Sequence, residues 1–258
     1  MNFIREKIVF WSMLILTFVV AGLGFFILVK NLAFAESNQG AKISNSKKLN
    51  ISDFDISEFF YYKQEGKSSW YGPGFHKKKT ASGELFDKTK LTAAHRHLPF
   101  GTIVRIRNLV NNKIALVRIT DRGPFIYSRI IDLSYYSAKV LDAFGNPNVE
   151  IEALLPQEDF VLDLPGNFYF GYSFEFPLVC LPENKIVFLQ KFDTFDEAVE
   201  FYQITQQEYP ELFVYLFVPA NQTYENISYS DGEKYFVGYF DSSDKTIRNN
   251  FAVKINPQ

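Results

Sequence analysis

The chain has 258 residues, of which 47% are hydrophobic and 22% are charged, a composition typical of a globular protein with one or two domains. This composition excludes a protein that is disordered throughout. The single cysteine, Cys180, excludes an intramolecular disulfide and a thiolate metal cluster, so packing must stabilise the folded parts. The net charge of −2 conceals an asymmetry, because residues 66–155 carry +7 and residues 156–258 carry −10. This difference predicts two bodies of opposite charge.

The N-terminal segment has the features of an export signal. Arg5 and Lys7 precede Ile8–Val29, which are 22 consecutive residues without a charge, and Ala-Phe-Ala at 33–35 offers a cleavage site. Twenty-two apolar residues are also enough to span a bilayer. Residues 1–35 are therefore predicted to be a signal peptide or an N-terminal membrane anchor, with the remainder exported to the periplasm or cell envelope. No cysteine follows the apolar run, so the sequence does not predict a lipoprotein.

Residues 36–65 are predicted to be a linker that ends in a short packed segment, where the sequence becomes acidic and aromatic. From Gly66 onward short candidate strands alternate with Gly, Pro and Asn turns. The predicted strands are Lys67–Tyr71, Leu91–Ala94, Thr102–Asn108, Ile114–Thr120, Arg129–Leu133 and Val149–Leu155. The third and fourth strands form a hairpin. A helix over Tyr135–Ala143 is capped by Ser134 and closed by Gly145. These elements predict a compact barrel over residues 66–155.

Residues 156–258 are predicted to form a small accessory α+β domain. Its elements in chain order are a strand Lys185–Phe192, a helix Phe195–Tyr209, strands Leu212–Val218 and Lys234–Phe240, and a last helix Asp244–Val253. The first helix places Phe195, Ala198, Val199 and Tyr202 at helical spacing. This order favours a sheet with its helices on one face.

The titratable side chains of the barrel region favour acid–base chemistry on sugars. The candidates are Glu84, Asp87, His95, Asp121 and Asp132. No nucleophilic triad, phosphate loop or metal-binding motif is evident, and we expect neither a metal nor a cofactor. An acetal oxygen leaves poorly unless it is protonated, which requires a carboxyl group whose pKa is raised by burial or by a second acid. Asp121 ends a candidate strand just before a Gly-Pro turn, where a rigid scaffold can direct its side chain into a groove.

Each candidate also has a purely structural interpretation. These are a solvated loop carboxylate for Glu84, a turn cap for Asp87, a hydrogen-bonded core histidine for His95, a turn initiator for Asp121 and a tie to the next helix for Asp132. Arg122 could stabilise the Asp121 anion by about 1 to 4 kcal/mol at a separation of roughly 4 Å. Neighbours in an extended chain point to opposite faces, however, so Arg122 need not approach that carboxylate.

Six ordered blocks of the sequence closely resemble the rare lipoprotein A family. They are Gly66–Gly72, Thr80–Asp87, Leu91–Arg96, Leu98–Thr102, Asp121–Pro124 and Ile131–Ser134. The resemblance implies a six-stranded double-psi β-barrel, so the predicted fold class is mainly β with a small α+β domain after the barrel. It also implies a lyase, namely an endolytic lytic transglycosylase. Such enzymes cleave MurNAc–GlcNAc bonds of peptidoglycan without water, leave 1,6-anhydro-muramic ends and prefer strands stripped of stem peptides.

By the same resemblance, Glu84, His95 and Asp121 fall on the family's active-site positions. Asp121 would donate a proton to the glycosidic oxygen and then act as the base that helps the muramic C6 hydroxyl close the anhydro ring. One carboxylate can suffice because the substrate's own hydroxyl replaces water. Glu84 and His95 would position the sugar or tune Asp121. The predicted substrate-binding residues are Trp70, Tyr71, Asp87 and Arg122.

The expected partner is the peptidoglycan glycan strand, and no nucleic-acid partner is expected. Phe192–Ala198 and Val237–Asp241 weakly resemble a sporulation-related repeat domain, a septal glycan-binding module, which makes the division machinery a candidate partner. Two other functions stay open. One is a non-catalytic, expansin-like wall-binding or wall-loosening module. The other is a hydrolase using Asp87 with Asp121, whose carboxyl groups would lie about 5 to 9.5 Å apart.

Overall fold

The computed structural model describes residues 61–155, 167–220 and 235–241. All of them belong to one compact unit, Asn50–Gln258. The predicted signal peptide or anchor, the linker up to residue 60 and the last predicted helix, Asp244–Val253, lie outside the described residues. Within the described ranges, none of the helices combines the length and the hydrophobicity needed to cross a membrane.

Six strands close into a barrel in the order β1-β5-β2-β4-β3-β6. They are β1 (Tyr61–Trp70), β2 (Thr92–His95), β3 (Ile103–Asn108), β4 (Ile114–Asp121), β5 (Arg129–Leu133) and β6 (Asn148–Leu154). β1 pairs with β5 and β2 with β4 in parallel, and the other neighbours are antiparallel. The core is aliphatic, with Ile106, Val117 and Ile131 fully buried. This architecture confirms the predicted mainly β fold, including the hairpin of β3 and β4.

Two predicted boundaries in the barrel were wrong. β1 begins at Tyr61, inside the segment predicted as a linker, because its first residues pair antiparallel with β6 as far as Tyr61 opposite Leu154. The helix α1 (Tyr135–Leu141) ends before Gly145, because Asp142 adopts the left-handed conformation with φ 52°. The backbone N–H of Asp142 donates hydrogen bonds to the carbonyls of Ala138 and Lys139 and so closes the last turn. The Ser134 cap is confirmed, since its Oγ accepts a hydrogen bond from the N–H of Ser137 at 3.0 Å.

The second body is an antiparallel five-stranded sheet with the order β8-β7-β10-β11-β9. Its elements are β7 (Phe168–Tyr172), β8 (Val179–Pro182), β9 (Val187–Phe192), the helix α2 (Phe195–Glu208), β10 (Val214–Pro219) and β11 (Tyr235–Tyr239). The four apolar residues predicted to line the helix are all buried. This confirms the small α+β domain. β7 and β8 were not predicted, because β7 is buried at every position and shows no alternation.

A buried polar network joins the barrel to this sheet. The Arg105 guanidinium donates to Glu152 within the barrel, and its Nη1 donates to the carbonyl of Ser173 at 3.2 Å and to that of Phe176. Tyr61 donates its hydroxyl proton to the same glutamate. The Arg105 and Glu152 side chains are only 9% and 8% exposed. One arginine therefore stabilises the contact between the two bodies.

Replacing Arg105 with Ala is expected to lower the free energy of unfolding by about 3–5 kcal/mol, because Glu152 is left as a buried charge without its cation. Arg107→Ala is the matched control. Its partner Glu150 keeps Lys63 at 2.6 Å, and the Arg107 side chain is 42% exposed, so a loss below about 1 kcal/mol is expected. Urea denaturation of both variants measures the difference. Equal losses would contradict a special role for Arg105.

Candidate active site

Asp121 lies at the last position of β4 and is half-buried. Its Oδ1 accepts hydrogen bonds from the backbone N–H groups of Ala81 and Arg122, both at 2.8 Å, and its Oδ2 accepts one from the Tyr71 hydroxyl at 3.1 Å. None of the ion pairs among the described residues involves Asp121. The carboxylate is thus fixed by three donors and remains partly open to solvent.

A second carboxylate, Asp132, shares this region of the barrel. The register of the strands puts Asp132 of β5 and Asp121 of β4 on either side of Ala94 of β2. The Ser69 hydroxyl, from β1, donates to Asp132 Oδ1. The backbone of Gly123 packs against the same group, since a Cβ atom at that position would lie 3.6 Å from Asp132 Oδ2. The structure therefore assembles a pair of acids from strands that are neighbours only in the closed barrel.

The environments of the two acids differ. Burial raises the pKa of Asp132 above its ordinary value, and the negative charge of Asp121 raises it further. The Ser69 hydrogen bond and the cations Arg129 and Arg96 act in the opposite direction. Such a carboxyl group can keep its proton at a higher pH than a solvated aspartate. The sequence predicts only a structural role for Asp132, namely a tie to the next helix.

Tyr71 links the acids to an aromatic wall. Burial raises the pKa of its hydroxyl, and the charges of Asp121 and Asp132 raise it further, so the group stays a hydrogen-bond donor. Its ring centroid lies 5.4 Å from that of Phe75 and 5.0 Å from that of Phe86. This places the predicted substrate-binding residue Tyr71 beside Asp121.

Trp70 lies elsewhere, because successive side chains of an extended strand point to opposite faces. Its ring packs edge-on against Tyr135 and Phe144, with centroid distances of 6.0 and 5.3 Å. Both partners are partly exposed, at 44% and 40%. The structure thus gives different surroundings to these two neighbouring aromatic residues, both of which are predicted to bind substrate.

Glu84 contacts an arginine rather than Asp121. Its two carboxylate oxygens accept hydrogen bonds from the Arg118 guanidinium at 2.7 and 2.8 Å. The link to Asp121 runs through the backbone, since Glu84 O accepts from Thr80 N–H and the next amide, that of Ala81, donates to Asp121. The short turn from 80 to 84 therefore orders both carboxylates without bringing them into direct contact.

His95 is 2% exposed and belongs to the barrel core. Its Nδ1 accepts from the backbone N–H of Leu98 at 2.9 Å and from that of His97 at 3.2 Å, and its Nε2 lies 3.2 Å from Gln64 Oε1. These partners assign the proton to Nε2. Burial, then the cations His97, Arg96 and Arg122, lower the pKa of His95 to about 4. The imidazole is neutral at pH 7, and its hydrogen bonds position the 95–98 turn instead of reaching Asp121.

The lowered pKa of His95 predicts acid sensitivity of the fold. Between pH 6.5 and about 4 the unfolded chain binds a proton that the folded chain does not, so stability falls as pH falls through this window. His95→Asn, which keeps an acceptor for Leu98 N–H, should remove this dependence. We expect the wild-type protein to lose about 2–3 kcal/mol more than the variant between pH 7.5 and 4.5, as measured by urea denaturation. Parallel pH profiles would contradict this.

The remaining predicted binding residues, Arg122 and Asp87, lie on other contacts. The Arg122 guanidinium stacks 3.7 Å from the Phe100 ring centroid and donates to the Leu98 carbonyl at 2.8 Å. A further hydrogen bond from the guanidinium reaches the His95 carbonyl at 3.4 Å. Asp87 accepts hydrogen bonds from the backbone and the hydroxyl of Thr89. These contacts engage both side chains with groups other than the two acids.

The loop after Asp121 exposes three apolar side chains that were not predicted as functional. Phe125, Ile126 and Tyr127 are 84%, 53% and 91% exposed. The Phe125 ring packs near Gly123, where a Cβ would lie 3.9 Å from Cε2. Side chains of this size rarely stay exposed in a row without a function. Across residues 61–155, 167–220 and 235–241, no group of three His, Cys, Asp or Glu side chains could hold a metal ion.

Comparison with known proteins relates the barrel to one family. Residues 63–153 match the family model described as lytic transglycolase. The endolytic peptidoglycan transglycosylase RlpA of Campylobacter jejuni is 50% identical over 92 residues, which are 35% of this chain and 34% of that protein. RlpA of Pseudomonas aeruginosa is 45% identical over 97 residues, 37% of this chain and 28% of its own. The chain thus spans about a third of the length of the curated relatives it matches.

Among solved structures, an apo expansin of Clavibacter michiganensis has a TM-score of 0.29 at 13% identity, covering 76% of this chain and 82% of its own. The Streptomyces papain inhibitor has the same score at 19% identity, covering 35% of this chain and 94% of its own. Scores this low bear on neither the fold nor the function. The sequence relatives confirm the resemblance of the barrel, and it is residues 63–153 that relate this chain to the lytic transglycolase family.

Proposed function

We propose that the barrel is an endolytic lytic transglycosylase that cleaves peptidoglycan glycan strands at MurNAc–GlcNAc bonds and leaves 1,6-anhydro-muramic ends. The observation that carries the proposal is the pair Asp121 and Asp132, held across β2 in a partly open region with aromatic residues on both sides. Two titratable groups whose surroundings differ are the usual basis for dividing acid and base roles. The relatives named as peptidoglycan transglycosylases support this substrate class.

The family resemblance implies that Asp121 alone acts first as the acid and then as the base. With two acids present, we divide these roles between Asp132 and Asp121. Asp132, whose pKa is raised by burial, donates its proton to the glycosidic oxygen, and the bond from that oxygen to the muramic C1 breaks. The muramic C6 hydroxyl oxygen then bonds to C1, and its proton passes to Asp121. One proton has moved from Asp132 to Asp121, and its return completes the cycle. No water is consumed, so the product is an anhydro ring.

The surroundings of the acids suit a sugar polymer. Tyr71 with Phe75 forms an aromatic surface on one side, and the exposed Phe125 and Tyr127 form another on the loop after Asp121. Aromatic faces of this kind can stack on sugar rings, and the +7 charge of residues 66–155 attracts a wall polymer that bears carboxylates. A preference for strands without stem peptides is part of the proposal, because peptides would crowd these surfaces.

The cell envelope is the compartment in which this substrate occurs. The apolar segment at 8–29 would deliver the protein there as a cleaved signal or hold it at the membrane as an anchor. Association with the division machinery through the accessory domain rests on the weak septal-module resemblance and stays a proposal. A fluorescent fusion of the full chain, followed through division, tests it by enrichment at the septum.

The activity is tested by digesting denuded glycan strands with the full chain and analysing the products by mass spectrometry. The expected products carry 1,6-anhydro-muramic ends. Reducing ends with added water would identify a hydrolase instead and reject the lyase mechanism. Binding to strands without any released fragment would support the alternative of an expansin-like wall-binding module.

A further inference from the structure

The side chain of Arg96 joins the two ends of the loop between the acid-bearing strands. This loop, residues 124–129, leads from β4 to the start of β5. A single guanidinium nitrogen of Arg96, Nη1, donates hydrogen bonds to the carbonyl of Pro124 at 2.9 Å and to that of Arg129 at 2.7 Å. No step of the proposed cleavage uses this contact.

Arg96 lies where the main-chain pairing of its strand ends. β2 pairs with β5 as far as His95 opposite Ile131, so the Arg129 carbonyl lies beyond the last pair. A carbonyl at such a point still requires a hydrogen-bond donor. The Arg96 side chain supplies one, and within the loop the N–H of Arg129 donates to the Ile126 carbonyl at 3.1 Å. The loop is therefore closed by one side chain together with its own turn.

The loop that Arg96 holds places an aromatic ring beside one of the acids. A Cβ atom at Gly123 would lie 3.6 Å from Asp132 Oδ2 and 3.9 Å from Cε2 of the Phe125 ring, so the ring and the carboxylate flank the same backbone. Phe125 is nevertheless 84% exposed, and Tyr127 on the same loop is 91% exposed. Since packing covers so little of these side chains, their position depends on the backbone of the loop.

A loop that is fixed in advance favours binding for an entropic reason. When a loop becomes ordered only as the ligand arrives, the cost of ordering is subtracted from the affinity, whereas a loop already held carries no such cost. Hydrogen bonds from a charged donor are stronger than those between neutral groups. The guanidinium of Arg96 is therefore well suited to hold both ends of the loop.

We propose that Arg96 is a positioning residue, which pre-orders the 124–129 loop so that the Phe125 ring stands beside Asp132 before the glycan strand binds. Arg96 acts through Phe125 and does not itself touch the strand. The inference rests on the proposed function for the identity of the ligand, whereas the hold of Arg96 on the loop can be measured without any ligand.

Hydrogen exchange of the full chain tests the hold on the loop. Arg96→Met removes both hydrogen bonds, so the amide proton of Arg129, which bonds the Ile126 carbonyl, should exchange about tenfold or more faster, as followed by mass spectrometry. Arg96→Lys keeps the charge and a donor and should restore most of the protection. Arg129→Met is the matched control, because it removes a neighbouring cation but leaves both bonded carbonyls in place. Equal exchange in Arg96→Met and the wild-type protein would overturn the proposal.

A double-mutant cycle tests whether Arg96 acts through Phe125. Binding of denuded glycan strands of defined length is measured by calorimetry in an Asp132→Asn background, which suppresses cleavage and removes the charge of Asp132. We expect Arg96→Met to weaken binding about three- to tenfold when Phe125 is present and to have no effect once Phe125 is replaced by Ala. The effect of Arg129→Met should not depend on Phe125. Additive losses for Arg96→Met and Phe125→Ala would overturn the proposal, because a general weakening of the barrel does not depend on Phe125.

The two experiments separate a failure of this inference from a failure of the proposed function. Unchanged exchange in Arg96→Met, with anhydro ends released by the wild-type protein, rejects the role of Arg96 alone. If the wild-type protein neither binds strands nor yields anhydro ends, the proposed function is rejected, and the exchange result then decides whether Arg96 holds the loop. Arg96→Gln, which keeps a polar end at this half-buried position, replaces Arg96→Met in both experiments if thermal melting shows that the methionine variant is unfolded.

Discussion

Asp132→Asn is expected to lower kcat on glycan strands by about 10²- to 10⁴-fold, the usual contribution of a general acid. The amide keeps the shape of the side chain and can still pair with Ser69, but it cannot hand a proton to the leaving oxygen. The loss should be largest for natural strands, in which the leaving group is a poor alcohol. Release of 1,6-anhydro ends, quantified by mass spectrometry, measures the effect.

If Asp132 is the general acid, an activated substrate should rescue Asp132→Asn. A muramic glycoside with a nitrophenol leaving group departs without protonation, so the variant should recover most of its rate on that substrate. Asp142→Asn is the control, because the Asp142 side chain is 64% exposed and asparagine tolerates the left-handed conformation found there. Full activity of Asp132→Asn on natural strands would remove Asp132 from the mechanism.

Asp121→Asn is expected to lower kcat by a similar factor of about 10² to 10⁴, for the opposite reason. A carboxamide is too weak a base to take the proton of the C6 hydroxyl. If its NH₂ group faced the backbone N–H groups of Ala81 and Arg122, two donors would also oppose each other. The activated nitrophenol glycoside should not restore the rate, because ring closure still needs the base.

The two variants together separate the proposed roles. Rescue of Asp132→Asn and not of Asp121→Asn by the activated substrate assigns the acid to Asp132 and the base to Asp121. The reverse pattern would return the acid role to Asp121, as the family resemblance implied. Thermal melting of both proteins, compared with Asp142→Asn, checks that the barrel remains folded.

Much of the barrel follows from local pattern. Side chains alternate along Thr102–Asn108, and an Asn-Asn turn separates this segment from the apolar run Ile114–Thr120. Both features are properties of the chain segment itself, and the hairpin forms as expected. The Ser134 cap and the buried face of α2 depend on neighbours within four residues, and both were predicted. β7 and β8 were missed because sheet strands buried on both faces give no alternating signal.

In the candidate site, too, some residues could be predicted from the sequence and others only from the fold. The sequence identified Asp121 from the Asp121–Pro124 block and Tyr71 from the separate Gly66–Gly72 block, whereas the hydrogen bond between them joins distant segments and exists only in the fold. The general-acid role of Asp132 became apparent only in the fold, where β2 lies between β4 and β5. The register places Asp121 and Asp132 on either side of Ala94. Pairing of this kind depends on barrel closure, so no window of sequence contains it.

By itself, the sequence determined the family resemblance of the barrel, the order of most strands and the presence of one partly exposed acid. The tertiary structure decided which groups face that acid: Asp132 and Tyr71 reach its region, whereas Glu84 pairs with Arg118 and His95 is enclosed in the core. The physical reason is that the face on which a side chain lies depends on strand register and on bulges, such as the one between Ala93 and Ala94. Burial among strands that are distant in sequence then raises the pKa of Asp132.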